Sequence, residues 1–247
     1  MGSGADAHDS PAARRAHGVA VLAAWAVHGL TASGAAMGLF ALLEAARGDS
    51  RASALWMLAA FAVDSVDGTL ARAAHVHEHT PSIDGRRLDD VVDYLNYVIV
   101  PCFFLAQGGF VGWGWTALPA LASAYQFAQA DAKTDDHFFL GFPSYWNFVA
   151  IYAWLLGAGP ATTAAWLAGL SLLVFVPIKY LYPTRMTRFA RTMILGAGAF
   201  TLLLVAACWT SDAALRARLA QLSLLYPAAY GALSLWLGGM QRTRASR

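Results

Sequence analysis

Apolar residues run along this chain in long blocks that are separated by short polar segments. Most blocks hold about 20 mainly hydrophobic residues, the length that an α-helix needs to cross a hydrocarbon layer about 30 Å thick. The pattern predicts an all-α, polytopic membrane protein with about eight transmembrane helices. The predicted spans are approximately residues 24–46, 53–73, 87–108, 113–131, 144–158, 161–181, 190–209 and 216–239.

The remaining segments define the predicted domain organisation. Residues 1–10 are polar and are predicted to be a flexible N-terminal tail. Residues 11–247 are predicted to form a single membrane domain, in which residues 11–23 make an interfacial helix leading into the first span.

Basic residues indicate how the spans are oriented. If the N-terminus is cytoplasmic, most of the 17 Lys and Arg fall on the cytoplasmic side. The four exceptions are Arg47, Arg51, Arg216 and Arg218. Because Lys and Arg are enriched in cytoplasmic loops, both termini and the loop between the second and third spans are predicted to be cytoplasmic.

The composition agrees with a membrane protein. The chain is 58% hydrophobic and 13% charged, with a mean hydropathy of +0.48, whereas soluble domains carry about 25% charged residues. A net charge of +2 gives no basis for a nucleic-acid partner. Cys102 and Cys208 both lie in apolar runs and are interpreted as buried thiols, not as a disulfide.

Carboxylates are concentrated where the second and third spans meet the cytoplasm. Asp67 follows Asp64 by three positions, so the two share one face of a helix. Gly85, Asp89 and Asp93 recur every four residues and also share a face. The two segments run antiparallel across a short loop, so the four aspartates are predicted to meet just inside the membrane.

The depths of the two segments match. Asp64 lies eight residues before Arg72, or about 12 Å along the helix, and Asp93 lies seven residues after Arg86, or about 10 Å. Carboxylates that are clustered at this depth repel one another and are costly in lipid. A bound divalent cation would offset both the repulsion between the carboxylates and the cost of placing their charge in lipid.

The donor atoms of the cluster favour hard cations. Oxygen ligands suit Mg²⁺ or Mn²⁺, and the absence of Cys and His from these helix faces argues against zinc. Four carboxylates can hold two ions, an arrangement that serves phosphoryl displacement. Gly68 and Gly85 would let a ligand approach the backbone, and Arg72 could donate to a phosphate.

Other polar residues nearby have structural interpretations. Asp84 is predicted to be a helix N-cap, and Asp90 points about 100° away from Asp89. Gly34 and Gly38 are predicted to allow close helix packing. His75, His77 and His79 alternate in a loop that is predicted to be solvated, with a metal site as the alternative.

At these residues the chain resembles the CDP-alcohol phosphotransferase family. The family pattern D-x2-D-G-x2-A-R followed by G-x3-D-x3-D is present in full, as Asp64, Asp67, Gly68, Ala71, Arg72, Gly85, Asp89 and Asp93. Twelve residues separate Arg72 from Gly85, where most members have eight. That gap, together with GLTASGAA, KTDDHFFLGFPSYWN and PIKYLYPTR, resembles the choline-using bacterial branch of the family.

The resemblance implies a multi-pass enzyme of the bacterial inner membrane that joins choline to CDP-diacylglycerol, giving phosphatidylcholine and CMP. It implies that Asp64, Asp67 and Asp89 bind metal. Asp93 would bind metal and act as the general base. The CDP-binding residues would be Asp64, Gly68, Ala71, Arg72 and Gly85. No Ser, Cys or His stands at a nucleophile position in the motif, so a direct displacement is predicted.

Choline is a quaternary ammonium, which aromatic faces recognise by cation–π attraction. The candidates at the cytoplasmic ends of the spans are Tyr145, Trp146, Tyr180 and Tyr182, with Tyr94 and Tyr97 nearby. An aromatic belt at the membrane interface is the alternative for each of them. Glu78 or Asp131 could balance the choline charge.

Two other functions stay open. Another acceptor, such as inositol phosphate, serine or glycerol phosphate, would keep the same metal site. A divalent-metal transporter would also place aspartates inside the membrane, although its site is expected near the midplane. The small-residue motifs permit a homodimer without requiring one.

Overall fold

Helices dominate the computed structural model, which describes residues 11–129, 138–182 and 189–238. The predicted tail at residues 1–10 lies outside these ranges, as does Asp131. The α-helices of the described chain are α1 Pro11–Ala46, α2 Ser50–Ala73, α3 Val76–His79, α4 Gly85–Tyr94, α5 Val100–Gln107, α6 Ala117–Ala128, α7 Trp146–Leu155, α8 Pro160–Val174, α9 Ala190–Trp209, α10 Ala213–Ser223 and α11 Leu225–Leu237.

Helices α1 and α2 form an antiparallel pair. Residues 11–23 continue into the first predicted span without a break, so α1 is a single helix of 36 residues. A tight turn follows, in which Asp49 accepts a hydrogen bond from the Ala52 amide at 2.9 Å and caps α2. Ser53 then bonds the Ala41 carbonyl at 2.8 Å and holds the two helices together.

The third predicted span is helical but not uniform. A π-helical turn, Leu95–Ile99, joins α4 to α5, and the Val100 amide bonds the Leu95 carbonyl five residues earlier. Pro101 follows directly and has no amide hydrogen to continue the ordinary ladder. A short 3-10 helix, Trp113–Thr116, then leads into α6.

Two predicted spans end or break earlier than expected. The span at 161–181 is wrong beyond Val174, because residues 179–181 form a strand, β2 (Lys179–Leu181), that pairs antiparallel with β1 (Phe138–Leu140). Pro177 cannot continue a helix. The chain is therefore not strictly all-α.

The span at 216–239 is also wrong as a single helix. It divides at Leu224 into α10 and α11. Pro227 lies in the first turn of α11, where proline is tolerated. In one continuous helix its ring would clash with the Ser223 carbonyl.

The helices are consistent with a membrane protein. Within the described residues, three are long and apolar enough to cross a bilayer, namely Arg14–Ala46, Ser50–Ala73 and Ala190–Trp209. Helices α7 and α8 are apolar but shorter. Eight spans and two cytoplasmic termini stay predictions.

The core lies where α5 and α7 cross the α1–α2 pair and α9. Trp146, Phe104, Ile151 and Leu204 are almost fully buried there. Many large apolar side chains on the outside of the bundle are exposed, and Leu202 on α9 is 71% exposed. An outer surface that is rich in apolar side chains is typical of a protein in contact with lipid.

Candidate active site

Three of the predicted metal ligands converge in the structure. Asp64 on α2 and Asp89 and Asp93 on α4 each place a carboxylate oxygen within 4.8 Å of the others. All three side chains are half-buried. The helical spacing in the sequence therefore predicted this convergence correctly.

Asp67 lies outside that group of three but lines the same small cavity. Its side chain is only 5% exposed. The Thr31 hydroxyl on α1 donates a 2.7 Å hydrogen bond to Asp67 Oδ2. The cavity thus brings together all four aspartates of the motif, from α2 and α4, against α1.

The π-helical turn adds a tyrosine to the cavity. Tyr97 is buried, and its hydroxyl donates a 2.6 Å hydrogen bond to Asp64 Oδ2. Residues four apart on an α-helix drift by about 40° around the axis. A turn with i to i+5 bonds takes more residues to complete and counters that drift, so Tyr97 follows Asp89 and Asp93 into the cavity.

Glycines bring α1 and α4 close together. A Cβ at Gly34 would lie 2.7 Å from Val92 Cγ1, and one at Gly38 would lie 2.8 Å from Asn96 Oδ1. The buried Asn96 amide donates to the Gly34 carbonyl at 2.9 Å. The predicted role of Gly34 and Gly38 in close helix packing is confirmed. This packing supports the helix that carries Asp89 and Asp93.

Replacing Gly34 with alanine is expected to lower the free energy of unfolding by about 1–3 kcal/mol, because the new methyl group overlaps Val92. Thermal unfolding of the purified protein in detergent would measure the change. Gly29→Ala is the matched control, since a Cβ at Gly29 on the same helix meets nothing within 4 Å. Equal melting temperatures for the two variants would contradict this interpretation.

Of the predicted CDP-binding residues, Asp64 lines the cavity, whereas the other four lie on the same two helices outside its lining. Gly68 and Arg72 are exposed, Ala71 is half-buried, and Arg72 bonds the Thr69 hydroxyl at 2.9 Å. Gly85 begins α4, and a Cβ there would lie 3.3 Å from the His28 ring.

The loop between α2 and α4 is built by local hydrogen bonds. Asp84 accepts hydrogen bonds from the Arg86 and Arg87 amides, so the prediction of an N-cap is confirmed. His28 on α1 bonds the Thr80 hydroxyl at 3.0 Å and ties the loop to the bundle.

The histidines of this loop form one helical turn. His75 is exposed, adopts a left-handed conformation with φ 47° and pairs with Glu78 at 3.4 Å. His77 is exposed, and the half-buried His79 packs against the His17 ring at 5.9 Å. Among the described residues, the candidate metal group contains the aspartates and none of these histidines.

The predicted choline residues lie in three different places. The Tyr145 ring is 6.1 Å from the Tyr97 ring, which places it beside the carboxylates. Tyr180 and Tyr182 lie on and just after β2, where Tyr180 stacks on Tyr230 at 6.3 Å. Trp146, in contrast, is fully buried and has no surface left for a ligand.

A chain of buried hydrogen bonds explains the position of Trp146. Its indole nitrogen donates to Ser123, Ser123 donates to Ser144, and Ser144 donates to Gln126, at 2.8, 2.8 and 2.6 Å. Ser144 has a positive φ of 53°. Because Tyr145 lies between two members of this chain, its backbone is held beside the carboxylates. Polar residues inside apolar blocks were the sequence signal for this arrangement.

The carboxylate group fits a hard divalent cation. Two oxygen ligands of one Mg²⁺ lie at most about 4 Å apart, because each Mg–O bond is about 2.0–2.1 Å long. The three oxygens lie within 4.8 Å of one another, so a shared ion would draw the carboxylates closer together. An apolar helical bundle with this internal carboxylate group defines a membrane protein with a candidate metal centre.

Comparisons with known proteins identify the family. A phosphatidylcholine synthase of Legionella pneumophila is 44% identical over 179 residues, covering 70% of each chain. Those of Legionella bozemanae and Pseudomonas aeruginosa are 48% and 36% identical, covering 58% and 67% of this chain and 68% and 71% of the relatives. No family model matches the chain. The chain belongs to the phosphatidylcholine synthase family, whereas membership of the wider CDP-alcohol phosphotransferase family stays a prediction.

Proposed function

We propose that this protein synthesises phosphatidylcholine by transferring the phosphatidyl group of CDP-diacylglycerol to choline, with release of CMP. The observation that carries the proposal is the convergence of Asp64, Asp89 and Asp93 within 4.8 Å. It is supported by relatives that are named phosphatidylcholine synthase, two thirds or more of whose length matches this chain. The spanning-length helices support action in a membrane, here proposed to be the bacterial inner membrane.

The aspartates are proposed to hold one or two Mn²⁺ or Mg²⁺ ions. Asp64, Asp89 and Asp93 supply the converging oxygens, and Asp67 supplies a fourth carboxylate in the same cavity. When bound, such ions offset the charge of the pyrophosphate and of the departing CMP. The exposed Arg72 guanidinium on α2 would offer donors to a phosphate, and Gly68 would leave room for the nucleotide.

Asp93 is proposed to act as the general base. Its carboxylate accepts the proton of the choline hydroxyl as the hydroxyl oxygen attacks the phosphorus that carries diacylglycerol. The bond from that phosphorus to the CMP oxygen breaks, and CMP leaves. No group of the protein becomes covalently attached in this displacement.

The choline ammonium is proposed to contact the aromatic side chains next to the carboxylates. Tyr145 is the best-placed of the predicted contacts, because its ring neighbours Tyr97 at the cavity. Tyr180 and Tyr182 would contribute from β2. A ring face attracts a trimethylammonium group that offers no hydrogen-bond donor.

A CMP-release assay tests the proposed function. The purified protein is supplied with CDP-diacylglycerol in mixed micelles and with choline, serine, inositol phosphate or glycerol phosphate, each with and without Mn²⁺. We expect CMP and phosphatidylcholine to appear only with choline and the metal. Faster CMP release with another acceptor would identify that acceptor, and not choline, as the substrate. No release with any acceptor would leave a metal transporter as the better explanation.

A further inference from the structure

Two hydroxyl groups contact the carboxylates of α2 from opposite neighbours. Thr31 on α1 donates to Asp67 Oδ2 at 2.7 Å, and Tyr97 on the π-helical turn donates to Asp64 Oδ2 at 2.6 Å. Both donors are buried, at 9% and 6% exposed. Each aspartate that α2 contributes to the cavity is therefore held by a side chain from a different part of the chain.

Hydroxyl donors suit carboxylates that must also bind a cation. A hydrogen bond from a neutral hydroxyl fixes the rotamer of an aspartate without cancelling its charge, whereas an Arg or Lys partner would compete with a cation for that charge. An ionised carboxylate has about four lone-pair sites, and a hydroxyl bond occupies only one of them. Partners of this kind orient metal ligands in known sites.

The backbone supports the same interpretation for Tyr97. The π-helical turn begins at Leu95, directly after α4, and it ends before Pro101. Without this turn, continued α-helical drift would carry residue 97 further around the axis from Asp93, away from the face that looks at α2. A π-helical turn is uncommon and is often found at functional sites.

We propose that Thr31 and Tyr97 are positioning residues that orient Asp67 and Asp64 for divalent-cation binding. The proposal rests on the proposed function, since it assumes that the aspartates bind a metal. It adds two groups that lie outside the aspartate motif and act through it.

The test measures the binding of Mn²⁺ to the purified protein in detergent. Bound Mn²⁺ is determined from the loss of the electron paramagnetic resonance signal of free Mn²⁺. Tyr97→Phe keeps the ring beside Tyr145 and removes only the hydroxyl. Thr31→Val keeps the shape of the side chain. Each variant is expected to weaken Mn²⁺ binding about 10-fold or more.

Matched controls separate positioning from general destabilisation. Tyr94→Phe, three residues before Tyr97, removes a hydroxyl that bonds the Ala120 carbonyl at 3.0 Å. Thr201→Val removes one that bonds the Ala197 carbonyl within its own helix. Both controls are expected to bind Mn²⁺ within about twofold of the unaltered protein. The Tyr97→Phe enzyme is further expected to need more Mn²⁺ for half-maximal activity while its KM for choline stays the same.

The outcomes are distinguishable. Unchanged Mn²⁺ affinity in a folded Tyr97→Phe or Thr31→Val protein would overturn the role of that residue and leave the proposed function intact. Equal losses in the variants and their controls would overturn the proposal, because they would reflect destabilisation. Failure of the unaltered protein to bind Mn²⁺ would overturn both the proposal and the metal-dependent function.

Discussion

Replacing Asp93 with asparagine is expected to lower the turnover of choline transfer by about 10²–10⁴-fold, the usual contribution of a general base. Asparagine matches aspartate in shape and keeps an oxygen that can face a cation, but it cannot accept the choline proton. Binding of CDP-diacylglycerol should therefore remain substantial while kcat falls. Turnover is measured as CMP release, and binding as retention of a labelled CDP-diacylglycerol.

Asp90→Asn is the matched control for that experiment. Asp90 is the neighbour of Asp89 on α4 and is also half-buried, but it lies outside the group of three converging carboxylates. The control is expected to keep most of its turnover. Near-normal turnover in Asp93→Asn would remove Asp93 as the base, and equal losses in both variants would indicate a general effect of charge on α4.

Removing divalent metal is expected to abolish transfer. Chelation with EDTA should reduce CMP release to background, because the carboxylates of Asp64, Asp89 and Asp93 would then repel the anionic pyrophosphate. Adding Mn²⁺ or Mg²⁺ back in excess should restore it. The purified protein should also unfold at a higher temperature with Mn²⁺ present, since a ligand that binds only the folded state stabilises it.

The Asp64→Asn variant provides the control for metal removal. With one carboxylate neutralised, it should need a higher Mn²⁺ concentration for half-maximal rate, whereas Asp90→Asn should not. Transfer that persists in excess chelator would show that the aspartates act without a metal and would overturn this part of the proposed function.

The convergence of carboxylates was predictable because it depends on helix periodicity and on one short loop. The spacings of Asp64 with Asp67 and of Asp89 with Asp93 select one face of each helix, and the short loop between the helices requires them to be antiparallel. The cap at Asp84 was predictable for a similar reason, since it is a local contact. These features need no knowledge of the rest of the fold.

The remaining parts of the site depend on contacts between distant residues. Thr31 and Asp67 are 36 positions apart in the sequence, and Tyr97 and Asp64 are 33 positions apart. No local sequence pattern predicts either hydrogen bond. Tyr97 did continue the four-residue series of Asp89 and Asp93, but the π-helical turn that returns it to the cavity has no period that can be read from the sequence.

Short strands and buried aromatics were missed for a related reason. Strands β1 and β2 hold three residues each and are stable only because each pairs with the other, some 40 residues away in the chain. Trp146 begins an apolar block, where tryptophan commonly marks the membrane interface. Its burial follows instead from the hydrogen bond that it donates to Ser123.

The length of α1 has a consequence for how this helix fits into a membrane. Its 36 residues extend over about 54 Å, and even a tilt of about 40° cannot fit that length within about 30 Å of hydrocarbon. Part of α1 must therefore extend beyond the hydrocarbon, and near its N-terminal end the ring of His17 packs against the ring of His79. This end of α1 therefore borders the loop that joins the two helices carrying the aspartates.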